Sequence, residues 1–114
     1  MAADNPDRGG NFAESSDRVA ARAPADFPVQ KIYMPDKTVA PSRAQLLPAI
    51  NSGALFLSYF GHGGLDRFAS EGLLTSADVG SLTNGPRMPV VTAMSCMLGH
   101  FATPGFDSLA ETLL

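Results

Sequence analysis

Two side chains in this sequence can do nucleophilic and proton-transfer chemistry, Cys96 and His62. Cys96 is the only cysteine of the chain, so no intrachain disulfide can occupy it. It is then a buried small hydrophobe, a free surface thiol or a reactive group. His62 lies in the run Gly61-His62-Gly63-Gly64. Those glycines let the backbone turn sharply beside the imidazole and let a substrate chain come close. Both residues follow an apolar run of strand length: residues 54–60 (ALFLSYF) lead into His62, and residues 89–94 (PVVTAM) lead through Ser95 to Cys96.

The segment between the two runs has room for a loop, a helix and a return strand. If that unit is a right-handed parallel crossover, both residues lie at the carboxyl edge of one sheet, where open α/β proteins place their sites. Neighbouring strands are about 4.8 Å apart, so the side chains would face each other across a small gap as a Cys/His dyad. The backbone N–H groups of Gly63 and Cys96 would then point at a developing oxyanion, a contribution on the order of 3 kcal/mol per donor. A lone cysteine at a strand end is more often an inert thiol, and a lone histidine beside glycines is equally ambiguous. What favours chemistry is the match: two such residues at corresponding strand ends, one crossover apart.

The elements that must hold this pair alternate in kind along the chain. Residues 12–22 carry helical spacing, stopped by Pro24. Residues 29–34 (VQKIYM) form a strand near a sheet edge, since Gln30 and Lys31 are polar. Residues 38–51 read as a helix with Thr38 as N-cap, Pro41 in the first turn and Ser52-Gly53 at its end, although Pro48 is an awkward interior residue. Residues 73–83 form a short helix capped by Thr75 with Asp78 three residues on. The strands at 54–60 and 89–94 read as buried on both faces. Residues 104–114 open an amphipathic helix. The alternation predicts an α/β protein, a mostly parallel doubly wound sheet flanked by helices, forming one domain over residues 1–114.

Composition excludes some roles. Eight basic against eleven acidic residues, with a pI near 5.1, give no electrostatic footprint for nucleic acid. No apolar run reaches membrane-spanning length, and the first residues lack the basic and apolar regions of a signal peptide. The glycine loop lacks G-x-G-x-x-G and a Walker lysine, so it is no phosphate cradle. Phe12, Phe27, Phe56, Phe60, Phe68, Phe101 and Phe106 read as core or loop anchors, and Met88, Met94 and Met97 as gap-fillers around the cysteine strand. Asp66 and Arg67 read as a solvated pair.

The stretch ALFLSYFGHGG, the block LLTSADVGSLTNGPRMPVVTAMSCMLGHF and the terminal PGFDSLAETLL resemble the gingipain-type (C25) cysteine peptidases of the caspase-like clan. Asp4-Asn5-Pro6-Asp7, KIYMPD and PSRAQLLPAINSG resemble the segment before the histidine in that family. The resemblance implies a caspase-like fold, with His62 as general acid/base, Cys96 as nucleophile, and the Gly63 and Cys96 amides as oxyanion hole. It implies an endopeptidase working through a thioester on peptide or protein substrates, with no cofactor, in a secreted or cell-envelope bacterial protein. It also implies a catalytic domain that extends beyond both ends, with its specificity pocket largely outside this window. The chain alone would then cleave poorly and its apolar strands would tend to self-associate. His100 at C-x-x-x-H spacing raises the question of a metal pair, but two lone ligands are too few for zinc. The competing reading is a non-catalytic caspase-like fragment or interaction module that needs missing segments or partner chains.

Overall fold

A computed structural model describes residues 1–114 of the chain. The elements run β1 (Ala2–Ala3), α1 (Phe12–Ala20), β2 (Ile32–Tyr33), α2 (Ala40–Asn51), β3 (Phe56–Phe60), β4 (Arg67–Phe68), β5 (Leu74–Thr75), α3 (Ser76–Val79), β6 (Val90–Met94) and α4 (Leu109–Thr112). Four strands form one sheet in the order β2-β1-β3-β6, and every neighbouring pair is parallel. The runs expected at 29–34, 54–60 and 89–94 therefore do share one parallel sheet. β2 is at its edge, as the polar Gln30 and Lys31 just before it predict. β4 and β5 form a separate antiparallel pair inside the crossover between β3 and β6.

β1 was not foreseen. Two alanines at a chain end carry no periodicity, and alanine is a weak strand former. Their place comes from pairing alone: Ile32 N–H donates to Met1 O, Met34 N–H to Ala3 O and Asp4 N–H to Phe60 O, each at 2.9 Å. Both alanines are fully buried between β2 and β3.

The core is one cluster that includes Leu46 and Ile50 of α2, Leu57 and Tyr59 of β3, Phe68, Leu73, Leu74, and Leu109 of α4. Tyr59 stacks on Phe68 with ring centroids 4.2 Å apart. Leu57 and Tyr59 alternate with Ser58 and Phe60, so one face of β3 supplies the core, as the period of a strand requires. α1 packs on β1 and β3, while α2 packs on β2 and β5. Asn11 caps α1 by accepting the Glu14 N–H at 3.2 Å.

Several local expectations change. β6 is exposed along its whole length, because it is a sheet edge and packs substantially only against β3, with no helix laid over its faces as α2 is laid on β2. Phe56 is likewise exposed, so β3 is covered on one face over part of its length rather than on both. Met88, Met94 and Met97 are exposed instead of filling gaps, and so are Phe27, Phe101 and Phe106. α2 starts at Ala40 after Val39, not at a Thr38 cap, because Pro41 fixes the first turn. Pro48 stays inside α2 because it sits near the end. Only Ala49, Ile50 and Asn51 follow it, and the Ser52 N–H closes on the Pro48 carbonyl at 2.9 Å. The helix expected at 73–83 shrinks to Ser76–Val79, since Leu74–Thr75 pairs with Arg67–Phe68 instead. α4 begins only at Leu109, where Ser108 and Glu111 make a capping box.

Asp78 joins α3 to α2. It accepts the Thr75 N–H at 2.8 Å and both terminal nitrogens of Arg43, at 2.6 and 2.9 Å. Arg43 also donates to the Gly72 carbonyl at 2.8 Å. The Arg43 guanidinium and the Thr75 hydrogen bonds hold the Asp78 carboxyl down, from an ordinary 3.8 to about 2. A carboxyl depressed in the folded state stabilises it above the unfolded value and loses that effect as pH falls through the folded one. Urea titrations should therefore show about 2 kcal/mol disappearing between roughly pH 4 and pH 2 in the native chain. Asp78→Asn should flatten that acid limb.

Candidate active site

The register of β3 against β6 places the two chemical side chains. Phe60 pairs with Met94. His62 and Cys96 each stand two residues beyond that last pair, on adjacent parallel strands at one carboxyl edge. The contact between the two tips is direct. A Cβ added to Gly63 would lie 2.4 Å from Ser95 Oγ and 2.6 Å from the Cys96 carbonyl oxygen. Glycine is thus required at position 63 by close approach of two backbones.

The His62 backbone is held from both sides. Its N–H donates to Asp4 Oδ2 at 3.0 Å, and its carbonyl accepts from Tyr59 Oη at 2.6 Å and from the Ala69 N–H at 2.9 Å. Asp4 is buried, and its other oxygen accepts the Asn5 N–H at 2.8 Å. Burial raises the Asp4 carboxyl above its usual range, against the pull of the His62 and Asn5 amides. Gly61 makes this arrangement possible, since a Cβ there would meet Asp4 Cβ at 2.3 Å and Tyr59 Oη at 2.4 Å.

The imidazole itself is oriented by a second acid. His62 Nε2 lies 2.9 Å from Asp7 Oδ2, and the ring of Phe12 meets it edge-on with centroids 5.2 Å apart. Asp7 accepts the Gly9 N–H at 2.7 Å. That hydrogen bond and the one to His62 keep the Asp7 carboxyl below the ordinary carboxylate range. With Nε2 engaged by a carboxylate, Nδ1 is the ring nitrogen without a partner in the chain.

Cys96 is a free, exposed thiol. Its carbonyl accepts the Leu98 N–H at 2.7 Å, while neither its own N–H nor that of Gly63 donates to another group of the chain. Both amides are thus unpaired within the chain. Ser95 Oγ is buried there without a hydrogen-bond partner.

Neither Asp4 nor Asp7 was singled out from the sequence. They lie more than fifty positions before His62, in a segment without periodicity, and only β1 pairing beside β3 brings them to it. The available signals were two acids within a Gly/Pro/Asn-rich run and the likeness of Asp4-Asn5-Pro6-Asp7 to the family's segment before the histidine, neither of which gave these acids a role. His100 does not join this centre. It lines a groove of about 730 Å³ that runs along β6 to Ser95 and Met97 on either side of Cys96, with Val91, Phe101 and Leu109 among its other walls. Asp66 and Arg67 pair with each other at 2.8 Å, as expected.

A parallel four-stranded sheet flanked by helices is the architecture of a caspase-like fragment. Comparison with known families matches residues 1–114, the whole chain, to peptidase family C25, and the chain belongs to that gingipain-type family of cysteine peptidases. No curated protein and no solved structure matches it. No helix is long and apolar enough to cross a membrane.

Proposed function

We propose that this chain carries the catalytic centre of an endopeptidase that cuts protein substrates through a Cys96–His62 dyad. The register that sets His62 and Cys96 two residues past the Phe60–Met94 pair carries this reading. Cys96 Sγ attacks the scissile carbonyl carbon while its proton passes to His62. The carbonyl oxygen, now negative, takes hydrogen bonds from the free N–H groups of Gly63 and Cys96. Collapse expels the amine, which takes the proton from His62, and leaves a thioester on Cys96. Water, deprotonated by His62, then releases the acid and restores the thiol. Asp7 holds the ring and favours its charged form during both transfers.

The test reads the thiol before it reads turnover. Iodoacetamide labelling followed by intact mass should modify folded Cys96 at least about tenfold faster than the same chain bearing His62→Ala. Equal rates would remove the dyad. Asp7 is exposed, so Asp7→Ala should leave the melting temperature within about 2 °C. In a form of the enzyme with measurable turnover, it should lower kcat/KM roughly a hundredfold by freeing the ring.

The isolated chain is also expected to self-associate. Edge strands in stable monomers are short or guarded by charge and proline. β6 presents five exposed residues without a charge, beside exposed Leu55, Phe56 and Met88. Size-exclusion chromatography should show a concentration-dependent shift to larger species that Val91→Lys suppresses; a monomer at every concentration would contradict this.

A further inference from the structure

Only two residues other than glycine have positive φ in this chain, Ala69 at 57° and Met97 at 62°. Side chains rarely adopt that backbone region, and a residue held there is maintained by its surroundings at an energetic cost. Both sit one hydrogen bond from the proposed catalytic pair. The Ala69 N–H donates to the His62 carbonyl, and Met97 is the centre of the tight turn in which the Leu98 N–H reaches the Cys96 carbonyl. Neither position is explained by a need for a buried side chain of special shape: Ala69 is a small core residue and Met97 is exposed.

We propose that Met97 is a positioning residue, whose left-handed backbone turns the Cys96 carbonyl inward to Leu98 and thereby leaves the Cys96 N–H and thiol facing the His62 tip. The inference rests on the dyad reading for its function but on the turn alone for its geometry. The Leu98 hydrogen bond at 2.7 Å closes the turn over three residues. Such a turn reverses the chain immediately after β6, before another residue can continue the strand. A continued strand would extend the ladder by one step, so that the Cys96 carbonyl would accept the Gly63 N–H, as the Met94 carbonyl accepts that of Gly61, and would occupy that amide. The left-handed residue is therefore what lets a nucleophile stand at the strand tip while its amide stays unpaired. Ala69 does the corresponding work for histidine by capping the His62 carbonyl from the β4–β5 side.

The experiment separates backbone preference from side-chain contact at position 97. Asparagine tolerates the left-handed region and a β-branched residue does not. Met97→Asn should keep the iodoacetamide rate of Cys96 within about twofold of the native chain, whereas Met97→Val should lower it at least about tenfold. Both are compared at equal folded fraction, read from thermal melts. Met97→Leu controls for the loss of sulfur while keeping length, and should resemble the native chain. Equal rates in the asparagine and valine variants would overturn the proposal, as would a loss with asparagine equal to that with valine. The His62→Ala chain, labelled in parallel, keeps the two readings apart. If its rate is native while Met97→Val is slow, the dyad fails and the positioning of Cys96 stands. If His62→Ala is slow and Met97→Val is native, the positioning fails alone.

Discussion

Substituting alanine for Cys96 should abolish peptide hydrolysis while leaving the folded chain as stable as before. Nothing in the fold leans on the thiol: it is exposed, unpaired and outside the core cluster. A surface truncation of this kind changes stability by at most about 0.5 kcal/mol. Chemistry is different, because the sulfur forms the bond that breaks the substrate. Turnover should fall at least about a thousandfold, and His62→Ala should fall nearly as far, since members of one catalytic unit fail together. The double variant should then be little worse than either single one. Measured kcat/KM on a peptide library, with folding followed by circular dichroism, decides it. Near-native hydrolysis by Cys96→Ala would refute the assignment of the nucleophile.

Gly63→Ala should damage both the fold and the site. Its Cβ would collide with the Cys96 carbonyl, a backbone atom that cannot swing aside as a flexible side chain would, and with the buried Ser95 hydroxyl. Relief requires β3 and β6 to separate at their tips, against a ladder of five paired residues. Overpacking of this kind costs about 3 kcal/mol, equivalent to a fall of about 10 °C in melting temperature for a chain of this size. The same step also moves the Gly63 amide away from Cys96, so activity should be lost even in the fraction that remains folded. Gly80→Ala is the control, because no atom lies within 4 Å of its added methyl and its φ of -64° is ordinary helical backbone. A Gly63→Ala chain that melts with the Gly80→Ala chain would show that the two strand tips are not in the contact described.

The sequence by itself determined the kind of layer and its chemical edge. Two apolar runs of strand length, each ending at a residue capable of chemistry, fit a parallel crossover with one shared edge; that pattern made His62 and Cys96 candidates, and the resemblance to the C25 family gave them their expected roles. Capping signals were legible for the same local reason: Thr75 with Asp78 makes its box within four residues, whatever surrounds it. What depends on distant parts of the chain was not legible. Ala2–Ala3 is a strand only because β2 and β3 lie on either side of it, and residues 73–75 leave the expected helix only because Arg67–Phe68 offers them a partner. Burial of β6 was misjudged because an apolar run reads the same at the centre of a sheet as at its edge, and only the strand order distinguishes them. Asp4 and Asp7 escaped for a related reason. A hydrogen bond across more than fifty residues leaves no local pattern, whereas the sheet that carries β1 beside β3 brings both carboxylates to the histidine: Asp4 grips its backbone and Asp7 its ring. Local spacing thus marked the candidate chemical residues, and tertiary pairing decided which groups hold them in place, because a hydrogen bond depends on distance in space and not on distance along the chain.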